Sequence, residues 1–542
     1  MSYNKDNLSI INIQKNMTKQ NTFDSNHIEV QPKLHLIQNG MGKYLNDNQK
    51  IGIFIFRRDL RLNDNLGLIK LSKEVDIIIP IFILDEYQIK KNKHNKHYFS
   101  NNAIQFMCES LYDLNEQLLK YDSYLRVYFG NPKKIINKLI KWTKNYFNFE
   151  NTNDLKTNEN ILLSYNSDYS TYAIKRDNAI DNVCKKHKIN LVKYTDDYTL
   201  VPLNQLLKSD GNGFKQFGAF YKNAIKHVVN RPVKNRFNKY LKYNIKTKSE
   251  FDIQRLDAFY NHNINLKISG GRGKAIKKLN KINQFKQYNN NRNTLSYSTT
   301  KLSAYLNFGC ISIREAYHMF KQELGMKNEL IKQLYWRDFY LLAVRTLPDG
   351  NKYIHMDKRY EKIKWEIPEV KKKYWKLLIE SKTGFLIIDA AMNEMITTGF
   401  MHNRARMIVG VFWTKFLLIN IFDPIYGSQV GYSKYLVDAI GPSQNKMNHQ
   451  WITEFDYPGK KYAPSGSPIA GRPMDPSNRM INKWDPDCVY IKKWLPHLAD
   501  ISNKDLNKWN KDIAAKYNYI HPAPIFDYRE KYAEWVKACS GI

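Results

Sequence analysis

The chain has 542 residues, enough for two or three domains and a large core. With 43% hydrophobic residues it reads as a folded chain, which excludes a wholly disordered one. Its 85 Lys and Arg against 51 Asp and Glu give a formal charge of +34, which points to a polyanionic partner, nucleic acid first; biased base composition is the bland source of so many Lys and Asn.

Residues 1–49 are rich in Asn, Gln, Lys and Ser, show no sustained period, and read as a disordered extension. They contain no Arg, which argues against a transit peptide. At Ile51 the pattern changes. IGIFIF is a short buried strand and VDIIIPIFIL (75–84) a second. Residues 101–120 predict a helix with Ile104, Met107, Leu111 and Leu114 on one face. YLRVYFG (124–130) is a third strand, and Pro132 opens the next helix at a common first-turn position. NILLSYNSDYS (160–170) holds a fourth strand, and a helix through Val183 leads to a fifth, INLVKYT (189–195). Strands alternating with helices predict an α/β domain with a doubly wound parallel sheet over residues 50–195. No GxGxxG follows the first strand, so that fingerprint predicts no dinucleotide. Residues 196–248, with GNGF, Pro202, Pro232 and many Lys and Asn, read as a connector. From Phe251 the periods are helical and predict a large all-α domain over 249–536.

Five scattered cysteines, at 108, 184, 310, 488 and 539, form no CxxC. That argues for a reducing intracellular compartment, cytoplasmic or nuclear, and for neither a zinc site nor a disulfide framework. Lys415 interrupts the best apolar run, 407–422, so no membrane span is expected. No secretory signal opens the chain.

The most informative stretch runs from Gly384 to Trp413. Ile387, Ile388, Ala391 and Met395 recur at helical spacing, as do Met401, Ile408, Val411 and Phe412. Gly399 between them predicts a helix stop, so the reading is two helices joined at a corner. The corner carries His402, Asn403, Arg404 and Arg406. Residues two apart do not share a helix face, so one Arg is free to meet a buried partner and the other a phosphate. A buried helix hairpin with a solvated polar corner is the plain alternative.

TGFLIIDAAM (383–392) followed by TGFMHNRARMI (398–408) closely resembles the FAD-binding core of the DNA photolyase/cryptochrome family. Leu386 stands where that family usually has Pro, and Phe400 where it usually has Trp. The resemblance runs from about Ile51 to about Tyr528, through FRRDLRLNDN (56–65) to the tail SNRMINKWDPDCVYIKKWLPHL (477–498), which closes the flavin domain. It implies FAD as cofactor. In some members the α/β domain also holds an antenna chromophore, a folate or a deazaflavin; these residues decide neither which nor whether.

The site residues are carried over position by position. Thr299, Thr300 and Ser303 suit a helix cap that offers hydroxyls to an anion. By resemblance Tyr288, Thr299, Thr300, Lys301, Leu302 and Ser303 contact FAD, with Lys301 where Arg is common. In LIKQLYWRDFYLL (330–342), Arg337 matches a flavin-domain Arg and Trp336 the wall of the damaged-base pocket; a core aromatic is the commoner role for a Trp. Gln333 stands where dimer-repairing members carry Glu and (6-4) enzymes carry Gln. An amide donates to a pyrimidine carbonyl without titrating. At the corner, Asn403 matches a flavin or substrate contact and Arg404 a DNA-phosphate contact; Arg406 matches an Arg paired with an Asp, here Asp438. Met407 falls where dimer photolyases have Met and (6-4) enzymes a catalytic His. It argues for cyclobutane dimers against Gln333, and carries more weight because (6-4) chemistry needs the imidazole. In GPSQNKMNHQWITEF (441–455), Asn445 matches the Asn facing the flavin, with Gln444 the competing assignment, and Trp451 the second pocket wall. His449 replaces the first Trp of the family's three-Trp electron relay, Trp365 keeps one position and Ile421 replaces another.

The expected activity is therefore light-driven repair of pyrimidine dimers in DNA by electron transfer from reduced FAD, a lyase reaction. The expected partner is UV-damaged DNA, and the expected state a monomer. A cryptochrome-like blue-light photoreceptor without repair, (6-4) repair, and a flavin-free relic are the alternatives.

Overall fold

The computed structural model describes residues 49–90, 99–147, 149, 160–214, 216–242, 246, 250–346, 363–420, 423, 425–426 and 475–539, all within the unit 46–542. The extension 1–48 and the positions Ile421, Asp438, Gln444, Asn445, His449 and Trp451 lie outside the described residues.

Five parallel strands form the sheet: β1 (Ile51–Phe56), β2 (Ile77–Leu84), β3 (Arg126–Phe129), β4 (Ile161–Asn166) and β5 (Asn190–Tyr194). A short antiparallel β6 (Glu250–Phe251) completes the order β5-β4-β1-β2-β3-β6. Every residue of β1 and β4 is buried, as expected when helices cover both faces; β1 is an unbroken apolar run, whereas β4 also buries Ser164 and Asn166. Pro80 lies inside β2, where a missing N–H would break the ladder. Ile78, facing away from β1, bonds Lys239 O and Leu241 N, while pairing with β3 begins only at Ile81. Pro80 faces the same side as Ile78 and falls in the gap between the two.

The crossover helices are α1 (Leu66–Leu71), α2 (Asn101–Leu119), α3 (Pro132–Tyr146) and α4 (Thr171–Lys186). Asn65, Ser100, Asn131 and Ser170 cap them through side-chain oxygens, and Pro132 sits in the first turn of α3 as expected. Ile104, Met107, Leu111 and Leu114 are all buried. The stretch read as a connector holds α5 (Phe217–Ala224) and returns to the sheet through bridges Ile78–Tyr240 and Ser123–Lys242.

The helices that build the site are α6 (Arg272–Leu279), α7 (Ser303–Phe308), α8 (Ile313–Leu324), α9 (Glu329–Thr346), α10 (Leu386–Thr398) and α11 (Asn403–Val411). Gly399 ends α10 in the left-handed conformation, its N–H donating to Met395 O at 2.9 Å. Leu386 is the first residue of α10, the one helical position where Pro costs nothing, so its Leu is an ordinary replacement. Buried Asp389 fixes the approach to α10 by accepting from Thr383 N and Oγ1, Gly384 N and His521 Nε2.

FRRDLRLNDN joins the sheet to these helices. Arg61 donates to both oxygens of Asp197 at 2.8 and 2.7 Å. Arg314 of α8 reaches Asp64 at 2.9 Å and Asp197 at 3.4 Å. All four side chains are at most 4% exposed. Arg58 donates to Asn307 Oδ1 at 2.7 Å and pairs with Asp168 at 3.4 Å. Gly309 has φ +70°, and a Cβ there would stand 2.1 Å from Arg58 O, so only glycine admits this approach.

Asp59, in the same motif, is fully buried and accepts from Arg57 N at 2.6 Å and Asn166 Nδ2 at 2.5 Å. Burial, then Asp197, push its pKa from 3.8 up to about 6. A raised carboxyl pKa favours the folded state below the unfolded value, and that contribution is lost as pH rises through about 6. Relative to Asp59→Asn, in which Asn166 can turn its amide to accept, the protein should lose about 2 kcal/mol between pH 4 and pH 7. Denaturant titrations across that range measure it; parallel curves would contradict the shift.

Candidate functional site

The loop before α7, one face of α9 and the start of α11 enclose a cavity of about 1120 Å³, its open mouth included, a volume suited to a large ligand. Tyr288, Thr299, Thr300, Lys301, Leu302 and Ser303 line one wall. Gln333, Trp336 and Arg337 line a second, and Phe400, Asn403 and Arg406 a third. Eleven residues proposed from sequence thus meet at one place. The expected helix cap differs in detail. Leu302 is the N-cap of α7 without a side-chain bond, and Thr300 Oγ1 instead accepts from Leu302 N at 3.4 Å. Lys301 holds φ +56°, a strained conformation for a side-chain-bearing residue, of the kind that clusters at ligand clamps.

Lys301, Arg337 and Arg406 are the charged residues of this lining, and no carboxylate is among its described members. Lys301 Nζ lies 3.2 Å from the centroid of the Phe400 ring, so Phe at the usual Trp position still serves as a cation–π face. Arg337 donates to Tyr198 O and lies 3.6 Å from Asp338. Burial lowers its pKa to about 10, so it stays charged at neutral pH. Buried Asn403 Oδ1 has no hydrogen-bond partner among the described residues.

His402 caps α11: its Nδ1 accepts from Arg404 N at 3.1 Å. Burial, then Lys301, Arg406 and Arg404, hold its pKa down at about 3, so the ring is neutral. The acceptor role assigns its proton to Nε2. Burial raises the Glu394 pKa, and its carboxyl accepts from Tyr490 Oη at 2.7 Å and His402 N at 3.4 Å.

The other expected residues lie elsewhere. Arg404 turns from the cavity to Asn293 Oδ1 at 2.9 Å, its guanidinium 5.6 Å from the centroid of the Trp484 ring. Met407 is outside the lining, and its sulfur accepts from Arg404 at 3.2 Å. Trp365 packs 6.2 Å from the buried Trp535 of the C-terminal helix Tyr528–Cys539. Trp336 stacks nearly parallel on Phe217 at 3.5 Å, so one ring face is already covered. Leu330, Leu334 and Tyr340 also line the cavity. Their spacing with Gln333 and Arg337 is one helical face, a signal present in the sequence. Phe217 and Asn307 had none, because both arrive from distant segments.

A second cavity, of about 850 Å³, opens at the carboxyl ends of β1 and β2, beside the β1/β4 switch point where doubly wound sheets bind ligands. Arg57, Arg58, Asp85, Asp168, Tyr172 and Arg176 are among its lining, and Asn307 lines both cavities.

A doubly wound sheet clamped to helices around a cationic cavity defines a protein built to hold a large phosphorylated cofactor. The chain matches the DNA photolyase family model over residues 53–236 and that of the FAD binding domain of DNA photolyase over 330–541. It is 26% identical over 498 residues to a deoxyribodipyrimidine photo-lyase of Synechococcus sp., covering 88% of this chain and 93% of the relative. It is 27% identical over 521 residues to cryptochrome-2 of Gallus gallus, covering 88% and 80%. An archaeal photolyase from Sulfolobus tokodaii, whose structure holds two FAD molecules, superposes with a TM-score of 0.72 at 28% identity, covering 91% of this chain and 100% of that one. The chain belongs to the DNA photolyase/cryptochrome family.

Proposed function

We propose that this protein repairs UV-induced pyrimidine dimers in DNA by light-driven electron transfer from reduced FAD. The observation that carries the reading is the meeting of three cations with Gln333 and Trp336 on one cavity. The cavity fits FAD: a pyrophosphate needs cations without competing carboxylates, and the orphaned Asn403 Oδ1 needs a donor. When bound and reduced, FAD supplies under light the electron that splits the dimer, and it takes that electron back.

The chain's own residues bind and orient. Lys301, Arg337 and Arg406 hold the anionic part of the cofactor. Gln333, whose amide makes a long 3.5 Å contact with Glu329 O, donates to a pyrimidine carbonyl of a flipped dimer. Trp336, on the cavity lining, meets that dimer. Arg404, beside Asn293, meets backbone phosphate. Asp438, Asn445 and Trp451 remain assigned by resemblance as Arg406's partner, a flavin contact and the second pocket wall. Trp336→Ala should lower affinity for lesion-bearing duplex by about 1–3 kcal/mol and leave undamaged duplex unaffected. Equal losses on both would make Trp336 a packing partner of Phe217 only.

The second cavity is proposed as the place of an antenna chromophore. A monomer in a reducing compartment fits the four described cysteines, all buried and free. No described helix is long and apolar enough to cross a membrane. The Phe217 ring on Trp336 favours a second reading, a photoreceptor without repair. Chemically pre-reduced protein, illuminated with oligonucleotides carrying a cyclobutane thymine dimer or a (6-4) photoproduct, separates these. Splitting of the cyclobutane dimer is expected. Repair of the (6-4) lesion alone would overturn the weight given to Met407, and repair of neither with flavin bound would favour the photoreceptor.

A further inference from the structure

Behind the Thr299–Lys301 loop lies a basin of about 1110 Å³, its open side included. Lys267, Lys277, Lys278, Lys281 and Lys301 line it, and no carboxylate is among its described lining. Lysines at the end of a helix, as Lys277 and Lys278 are on α6, are ordinary partners of its dipole. Lys267 and Lys301 come from other segments, so the cluster is not one helix's doing. Lys267, Lys277, Lys278 and Lys281 make no ion pair with any described residue. Burial, then Lys267 and Lys281, lower the Lys278 pKa, the response of a partly desolvated ammonium group beside like charges; Glu394 faces Lys267 and Lys301 electrostatically from outside the lining. Thr299 and Thr300 add hydroxyls, and the partly exposed Tyr297 stands edge-on to Phe285 at 6.4 Å.

We propose that this basin is a second phosphate-binding site, distinct from the one that takes the cofactor's pyrophosphate, and that it accepts a free polyphosphate chain such as that of a nucleoside triphosphate. Three lysine-bearing segments around a recess surround successive phosphates on several sides. A rigid duplex rides over such a recess, whereas a flexible chain enters it. Thr299, Thr300 and Lys301 line both this basin and the cofactor cavity, so one loop is the wall between two phosphate sites. The inference does not rest on the repair reading, because Lys267, Lys277, Lys278 and Lys281 play no part in it; only Lys301 is shared with the cofactor cavity.

The test is calorimetric titration of the flavin-loaded full chain with inorganic triphosphate, repeated with ATP and with an undamaged duplex. One saturable triphosphate site is expected, weakened at least about tenfold in a Lys277→Gln/Lys281→Gln double variant and kept in the Lys→Arg double variant. Flavin absorbance and melting temperature should match the parent in both, which separates lost binding from lost folding. No triphosphate binding by the parent would overturn the proposal. Displacement of triphosphate by undamaged duplex, with the double variant losing affinity for both alike, would also overturn it and make the basin part of the DNA footprint.

Discussion

Asp197→Ala should destabilise the protein by about 3–5 kcal/mol, because it strips the partner from two buried guanidinium groups. Arg61 and Arg314 both converge on this carboxylate, and Leu66 N donates to it at 2.9 Å. With Asp64 the cluster holds two positive and two negative charges, each at most 4% exposed. Removing one carboxylate leaves a net buried positive charge between sheet and helices. The measurement is equilibrium denaturation followed by two probes, flavin fluorescence and far-ultraviolet dichroism. The two transitions should separate, because the helical part then loosens from the sheet before it melts. A coincident transition at the parent's midpoint would show that the cluster does not hold the two together.

Arg406→Met should reduce FAD affinity by about 3 kcal/mol, roughly a hundredfold, while retaining most of the buried stem. Arg406 is 8% exposed and lies one turn beyond Asn403 on α11, so its charge faces a cavity with little water to screen it. The flavin-to-protein absorbance ratio after purification, and the affinity on reconstitution, report the loss. Unchanged flavin content would move the cofactor's phosphates elsewhere. If Arg406 also pairs with Asp438, the melting temperature falls as well, since that carboxylate is then left unpaired.

Much of this architecture was legible in the sequence. A strand buried on both faces favours apolar residues throughout, so β1 and β2 announced themselves as unbroken runs. The α10–α11 corner was legible because Gly399 is the residue type that most readily takes the left-handed backbone, φ +67°, that ends α10. The cavity residues were found through motif resemblance, and the structure brings eleven of them together. What stayed hidden depends on partners remote in the chain. FRRDLRLNDN resembled a family signature without a role, because Arg61 and Asp64 meet partners 136 and 250 residues away. Phe217 over Trp336 and the two-residue strand β6 have the same cause. The helix cap expected at Thr299 and Thr300 fails for a local reason: Lys301 turns into a left-handed conformation and puts Leu302 at the cap.

Asn307 belongs to both cavities at once, its Oδ1 and carbonyl oxygen held by Arg58. A ligand that draws Asn307 or Arg58 toward one cavity changes what the other cavity offers. By thermodynamic reciprocity, the factor by which the first occupant alters the second's affinity equals the factor by which the second alters the first's. Where both chambers are filled and either ligand moves Asn307 or Arg58, the two titrate as a coupled pair, and a dissociation constant for either then belongs to a stated occupancy of its neighbour.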